Sequence, residues 1–313
     1  MTIQQLHRNF TNSRILNFSM IVLLLVFRLL WGENLSDWQM WAAAVIQIGV
    51  ALLVLLLNQV GGLIRQQTVL PAFFYVLLTG SNPLYFNNIS ASILVLFVLA
   101  CLFFLIKTYQ KPQSQREAFN IALCISVGAW YWPPLLVLFP LFWLGMYRMR
   151  SLNGKTFLAS LLGFIFIAMT VFTWILYSKD DSVLMEKIQQ FRDLFSLQPI
   201  VLPPYSLVRF LVILTLIILA EIKILMASVS EKIFTKIIFG YLFVFALLTA
   251  GCYIVQPQHR AEWGLMFNLP CALLLAHYFT MARRKWQVWL FLGVILFFVL
   301  FFLEFWGFKP FFK

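Results

Sequence analysis

Charged residues are scarce in this sequence, and that scarcity already indicates its class. Only 11% of the 313 residues are charged, whereas 62% are hydrophobic and the mean hydropathy is +0.90. A soluble domain is about 45–50% apolar and about 25% charged, so a soluble fold has no place to bury this much apolar surface. The composition therefore predicts an all-α, polytopic integral membrane protein.

Catalytic and ligand-binding motifs are also missing. The sequence contains no P-loop, GxSxG, HExxH or CxxC pattern. Its four cysteines lie in apolar runs without paired spacing, and its three histidines are far apart. We therefore expect no disulfide, no metal site and no cofactor. No small-x-small cleavage site closes the first apolar run, so we expect that run to stay in place as a membrane span.

Apolar runs separated by polar breaks predict about ten or eleven transmembrane helices. The runs are 15–31, 40–57, 68–80, 90–106, 118–132, 133–147, 156–177, 208–227, 234–255, 264–281 and 287–303. Together they predict a single membrane domain over residues 1–313. Within it we distinguish a module over 1–177, an outer amphipathic segment over 178–206 and C-terminal helices over 207–313.

The basic residues predict the orientation of these spans. If the N-terminus is cytoplasmic, fifteen of the 23 Lys and Arg residues and three of the 11 acids lie inside, which accounts for the whole net charge of +12. The positive-inside rule therefore predicts a cytoplasmic N-terminus. The expected setting of this multi-pass protein is a bacterial inner membrane. Because the charges are scattered over short loops, no nucleic-acid partner is expected.

Two stretches are predicted to be short, re-entrant-like hairpins. The uncharged run 118–147 is interrupted by WPP at 132–134 and has basic segments at both ends, so an even number of crossings must lie between them. The residue before a proline is driven out of the helical region, which makes Trp132 the predicted breakpoint.

The run 68–106 forms the other predicted hairpin, with its tip at SNPLYFNN, residues 81–88. Each half of these hairpins measures about 20–25 Å, against a hydrocarbon core of about 30 Å. Such short helices must thin the bilayer, or their tips must be covered by protein or face a cavity. The alternative is that they are tilted neighbours whose boundaries differ from those predicted.

Acidic residues in the first outer loop are candidates for catalysis. Glu33 and Asp37 lie there, and Arg28 lies just inside the end of the preceding span. Arg28 can reach the interface and pair with either acid. The alternatives are an ordinary interfacial ion pair and a catalytic or metal-binding carboxylate.

Arg28 and four further outer residues are candidate substrate or phosphate contacts. Arg209 lies at the outer end of its span, and His259, Arg260 and Glu262 lie together at the start of another. Arginine with histidine can hold a phosphate, and histidine can transfer a proton near neutral pH. The alternatives are snorkelling of Arg209 to the headgroups and a solvated turn at 259–262.

The stretches RLLWGENLSDWQMW and AFNIALCISVGAWYWPPLLVLFPLFWLGMYR resemble regions of the C-type membrane glycosyltransferases, which use polyprenyl-phosphate-linked sugars. The similarity covers roughly residues 15–177. These enzymes place a catalytic acid in the first outer loop, so the resemblance implies Asp37 as that acid and Glu33 as the second choice. The chain as a whole resembles an uncharacterised bacterial family of multispanning proteins more closely.

The expected function is the handling of a lipid-linked glycan or a related lipid substrate at the outer leaflet, by a transferase or an inactive relative of one. The expected partners are membrane lipids and a polyprenyl-phosphate-linked sugar. The first alternative is a non-catalytic scaffold or assembly subunit. The second is a transporter, which would need polar groups along a path through the midplane.

Overall fold

The computed structural model describes residues 15–31, 37–64, 66, 68–178, 185, 189, 203–226, 233–281 and 285–303. These residues form eleven α-helices and three short 3-10 helices, without a β-strand. The α-helices are α1 (Ile15–Trp31), α2 (Trp38–Gly61), α3 (Leu70–Gly80), α4 (Ile89–Lys107), α5 (Gln115–Tyr131), α6 (Leu138–Arg148), α7 (Gly154–Ser178), α8 (Pro204–Met226), α9 (Ile233–Val255), α10 (Arg260–Thr280) and α11 (Lys285–Phe302). The 3-10 helices are Pro83–Tyr85, Pro133–Val137 and Pro257–His259.

Each of the eleven predicted apolar runs corresponds to one helix, so the predicted all-α polytopic membrane fold is confirmed. Five of the described helices, α2, α4, α7, α9 and α11, are long and apolar enough to cross a membrane. Apolar runs become helices here because a helix satisfies its own backbone hydrogen bonds, which lipid cannot do.

The described residues cluster into two compact units. The first comprises the described parts of Met1–Val95, Val201–Ile254 and His259–Lys313, and the second those of Leu96–Ile200 and Val255–Gln258. The predicted single domain and its three-part division remain a prediction. Most of the predicted amphipathic segment 178–206 lies outside the described residues.

Two helices, α3 and α10, form the interior of the first unit. All eleven residues of α3 are buried, and so is every residue of α10 from Trp263 to Phe279. The two helices pack against each other, while α1 and α2 cover α3, and α8 covers α10. Stacked rings add to this core, with Phe74 and Phe279 at 5.4 Å between centroids.

The shortness of α3 is explained by its surroundings. Eleven residues extend for only about 16 Å, roughly half of the hydrocarbon core. Most of the turn that follows is also buried, with Tyr85 and Phe86 each only 1% exposed, while Leu84 and Asn87 are exposed. Protein therefore covers much of the tip of this hairpin, which we call the tip segment (residues 81–88).

The second hairpin breaks at the predicted residue. Helix α5 ends at Tyr131, and Trp132 is extended, with φ −143° and ψ 96°. At the other end, the Gln110 N–H donates to the Met149 carbonyl at 3.0 Å, and Asn153 Nδ2 donates to the Pro112 carbonyl at 2.6 Å. The segments before α5 and after α6 therefore meet at one end, as a hairpin requires.

Helix α7 completes the second unit by packing closely against α5. A Cβ at Gly163 would lie 2.7 Å from the Phe119 carbonyl oxygen, so only glycine allows this approach. Trp143 of α6 also donates to Ser160 Oγ at 3.0 Å. Much of the remaining surface of α7 is exposed and apolar, as expected of a face in contact with lipid.

Candidate functional site

Polar side chains gather around the tip segment, at what we call the tip end of the first unit. The helices that reach it are α1, α2, α8 and α10, together with the last turn of α3 and the first turn of α4. The polar residues that make hydrogen bonds there are Arg28, Gln47, Tyr85, Asn88, Ser92, Arg209, Glu262 and Asn268, which we call the tip cluster.

Arg28 is the most deeply buried charge of the tip cluster, with 0% exposure. Its guanidinium donates to the Met40 carbonyl, to the Phe86 carbonyl at 3.3 Å and to Gln47 Oε1 at 3.0 Å. It also lies 5.0 Å from the centre of the Phe86 ring. Arg28 therefore holds the tip segment to α1 and α2.

Gln47 extends these contacts to α4. Its Nε2 donates to the Tyr85 carbonyl at 3.0 Å and to Ser92 Oγ at 3.2 Å. One buried amide thus connects Arg28, the tip segment and α4. The amide is well suited to this task because it presents both an acceptor and two donors.

Arg209 approaches the tip segment from the opposite side, on α8. It donates to the Leu78 carbonyl and, at 3.3 Å, to the Tyr85 hydroxyl. Asn268 of α10 shares the same carbonyl at 3.4 Å. Leu78 is in the last turn of α3, where carbonyl groups have no helical partner and the helix dipole favours a cation. Arg209 thus caps a buried helix end.

A close approach between α10 and the tip segment makes this arrangement possible. A Cβ at Gly264 would overlap the Tyr85 hydroxyl and lie 3.1 Å from its Cε1 and Cζ atoms. Glycine at this position lets the tyrosine ring lie against α10. From there its hydroxyl accepts the hydrogen bond from Arg209.

Of the predicted group at 259–262, Glu262 reaches the tip segment. Glu262 Oε1 accepts a hydrogen bond from Asn88 Nδ2 at 3.3 Å, while Asn88 Oδ1 accepts from the Ala91 N–H at the start of α4. Arg260 begins α10, with the half-buried His259 just before it.

Tyr253 of α9 is a buried aromatic residue beside Arg209, with 3% exposure. Its ring stacks on Phe210, the neighbour of Arg209, at 5.6 Å between centroids. Arg209 and Arg260 are both within electrostatic range of the Tyr253 hydroxyl.

Asp37, the candidate acid, lies at the start of α2. Its Oδ1 accepts a hydrogen bond from the Gln39 N–H at 2.9 Å, which makes it the N-cap of that helix. Its predicted partner Arg28 instead bonds to Met40, three residues further along. Glu33, the second candidate, lies outside the described residues.

Three predicted residues, Arg28, Arg209 and Glu262, thus meet at the tip segment, where each has an uncharged hydrogen-bond partner. Sequence reasoning missed Gln47, Asn88 and Asn268. The available signal for Gln47 and Asn268 was a primary amide within an apolar run, because a buried amide needs hydrogen-bond partners.

Metal binding receives no support from the described part of the chain. No group of three or more His, Cys, Asp or Glu side chains is placed there to hold an ion. What the tip cluster offers chemically is a set of N–H and O–H donors and fixed positive charge, which suits an anion.

The apolar helices and the enclosed tip cluster define a polytopic α-helical membrane protein with a polar centre near one end of its first unit. The chain belongs to DUF6427, a family of unknown function, whose family model matches residues 7–309. No curated protein and no solved structure matched the chain.

Proposed function

We propose that this protein handles an anionic lipid-linked substrate, a polyprenyl-phosphate-linked sugar or a related isoprenoid or lipid phosphate. The proposed location is the outer leaflet of a bacterial inner membrane, with the N-terminus in the cytoplasm. The observation that carries the proposal is the buried guanidinium of Arg209, whose terminal nitrogens donate to two neutral groups and whose Nε has no hydrogen-bond partner.

Arg209 has donor capacity left for such a ligand. Its two terminal nitrogens donate to the Leu78 carbonyl and the Tyr85 hydroxyl, both neutral groups, while its buried Nε has no hydrogen-bond partner. A guanidinium has five N–H groups and binds phosphate well. Since a buried cation is costly in an apolar environment, an anion beside Arg209 would stabilise it.

Arg260 supplies the accessible half of the proposed site. It is half-buried at the first residue of α10, whereas Arg209 is only 6% exposed. The hydroxyls of Tyr205 and Tyr253 can donate to phosphate oxygens as well. Glu262, the nearby acid, is turned to Asn88 by its hydrogen bond.

Lipid binding by the purified full chain tests the proposal. In nanodiscs of phosphatidylcholine, the probes are a medium-chain polyprenyl phosphate, the polyprenol of equal length and phosphatidylglycerol. We expect the polyprenyl phosphate to bind and the polyprenol to bind at least tenfold more weakly, because one charge-assisted contact contributes about 1.5–3 kcal/mol. Phosphatidylglycerol then shows whether the site selects an isoprenoid or accepts anionic lipids in general.

Arg260→Gln is the informative variant, because Arg209 also caps α3 and its loss would disturb the fold. We expect Arg260→Gln to lose about tenfold in affinity for the polyprenyl phosphate. Lys155→Gln, an exposed cation at the start of α7, is the matched control and should bind normally. Equal binding of the polyprenol, or unchanged affinity in Arg260→Gln, would show that the proposal is wrong.

A further inference from the structure

Two of the four cysteines, which have no paired spacing in the sequence, lie on neighbouring helices of the second unit, Cys101 on α4 and Cys124 on α5. The Cys101 thiol donates to the Ile121 carbonyl at 3.6 Å. Ile121 and Cys124 are three residues apart and so lie on one face of α5, which means that the Cys101 sulfur lies against that face.

The register of the two helices produces this contact. Phe97 precedes Cys101 by one turn of α4, and Gly128 follows Cys124 by one turn of α5. The Phe97 ring lies 3.5 Å from the position that a Cβ of Gly128 would take. Because successive residues on one face of a helix are about four apart, moving one turn from that pair leads to Cys101 and Cys124. The packing of the two helices therefore places Cys101 opposite Cys124.

The two thiols differ in accessibility. Cys101 is 1% exposed, whereas Cys124 is half-buried. A reagent dissolved in the apolar phase around α5 would reach Cys124 first. Cys101 then lies next to it, where a second thiol must be to resolve an oxidised sulfur.

We propose that Cys101 and Cys124 are a redox-modification site, at which a hydroperoxide of the membrane phase forms a disulfide between α4 and α5. The Cys124 sulfur attacks the hydroperoxide, the O–O bond breaks, and Cys124 sulfenic acid and an alcohol are formed. The Cys101 sulfur attacks the sulfenic sulfur, the S–S bond forms and water leaves. Two thiols are oxidised by two electrons, and the hydroperoxide is reduced to alcohol and water.

A disulfide has an S–S length of about 2.05 Å, so the two sulfurs must come together to that distance between the neighbouring helices. Oxidation would tie α5 to α4 covalently, across the loop that joins them. Cys252 and Cys271 lie in the first unit and serve as internal references.

Counting free thiols tests the proposal. Membrane vesicles that contain the full chain are treated with an apolar organic hydroperoxide, denatured, and labelled with a maleimide of large mass. We expect labelled thiols to fall from four to two in the natural sequence, and from three to one in Cys252→Ser. Cys124→Ser should keep all three remaining thiols, whereas Cys101→Ser should lose the Cys124 thiol to sulfenic acid without forming a disulfide.

Tryptic peptides identify the bond. Lys107 and Arg116 lie between the two cysteines, so digestion without reductant should release two peptides joined by one disulfide, and reductant should separate them. Four free thiols after treatment would overturn the proposal. A disulfide involving Cys252 or Cys271, or sulfinic acid on Cys124 in place of the disulfide, would overturn it as well.

Discussion

Gly264→Ala is the sharpest test of the tip cluster, because one added methyl group meets one buried hydroxyl. The Cβ would overlap the Tyr85 hydroxyl and lie 3.1 Å from two ring carbons. Tyr85 is 1% exposed and cannot swing into solvent. Overpacking of this kind costs about 1–3 kcal/mol.

Two further effects determine the net change. Displacement of the hydroxyl weakens its hydrogen bond with Arg209, and a bond to a charged group contributes about 1.5–3 kcal/mol. Alanine in place of glycine inside a helix contributes about 1 kcal/mol in the opposite direction. We therefore expect Gly264→Ala to lower the free energy of unfolding by about 2 kcal/mol.

A double-mutant cycle with Tyr85→Phe separates the overlap from any general effect of alanine. Tyr85→Phe removes the overlapping hydroxyl, so in that background Gly264→Ala should cost less than about 0.5 kcal/mol or be stabilising. Gly251→Ala is the matched control, because its added methyl group meets nothing within 4 Å. It should be neutral or stabilising by up to about 1 kcal/mol.

The assay is urea unfolding of the full chain in mixed micelles, followed by tryptophan fluorescence. Our reasoning is refuted if Gly264→Ala costs the same, within about 0.5 kcal/mol, in both backgrounds. It is refuted equally if Gly264→Ala is as well tolerated as Gly251→Ala.

Three other predictions use the same unfolding measurement. Gln47→Leu should lower the free energy of unfolding by about 3 kcal/mol, because it leaves Arg28 and the buried Tyr85 carbonyl with fewer partners. Gln59→Leu, at an exposed position of the same helix, should change it little. Equal effects of the two substitutions would contradict the role of Gln47. Gly163→Ala should cost about 1–3 kcal/mol, since its methyl group meets a backbone oxygen that cannot rotate away, and a stable variant would contradict the close packing of α5 and α7. Asp37→Ala should lower the free energy of unfolding by about 1 kcal/mol, whereas Asp37→Asn, also a good N-cap, should not. Asp37→Asn therefore removes the carboxylate without disturbing the helix, and unchanged glycolipid transfer in this variant would reject a catalytic Asp37.

The membrane helices were predictable residue by residue to within a few positions. The run predicted at 208–227 is α8, Pro204–Met226, which begins earlier because a proline is well tolerated in the first helical turn. The run predicted at 264–281 is α10, Arg260–Thr280, whose first turn is polar. Trp132 is the break between α5 and α6 because the following proline disfavours helical geometry there.

The candidate site was predictable only as a set of polar residues. Arg28, Arg209 and Glu262 stand out in an apolar sequence, and all three contact the tip segment. Their partners did not stand out, because two of them are backbone carbonyls of Leu78 and Phe86. A sequence pattern shows which side chain needs a partner, but only the folded chain shows which helix end supplies one.

The sequence by itself determined that this is a multi-helix membrane protein and where its helices lie. It also located the turns of the two hairpins, at residues 81–88 and at Trp132. Lipid enforces these features, because every backbone polar group in the membrane must be satisfied within its own segment. Only the tertiary structure decided that α3 and α10 are enclosed, that Arg209 caps α3 and that Cys101 lies against the face of α5 that carries Ile121 and Cys124. Apolar side chains have no hydrophobic preference for protein over lipid, so hydropathy carries little information on which helices pack together.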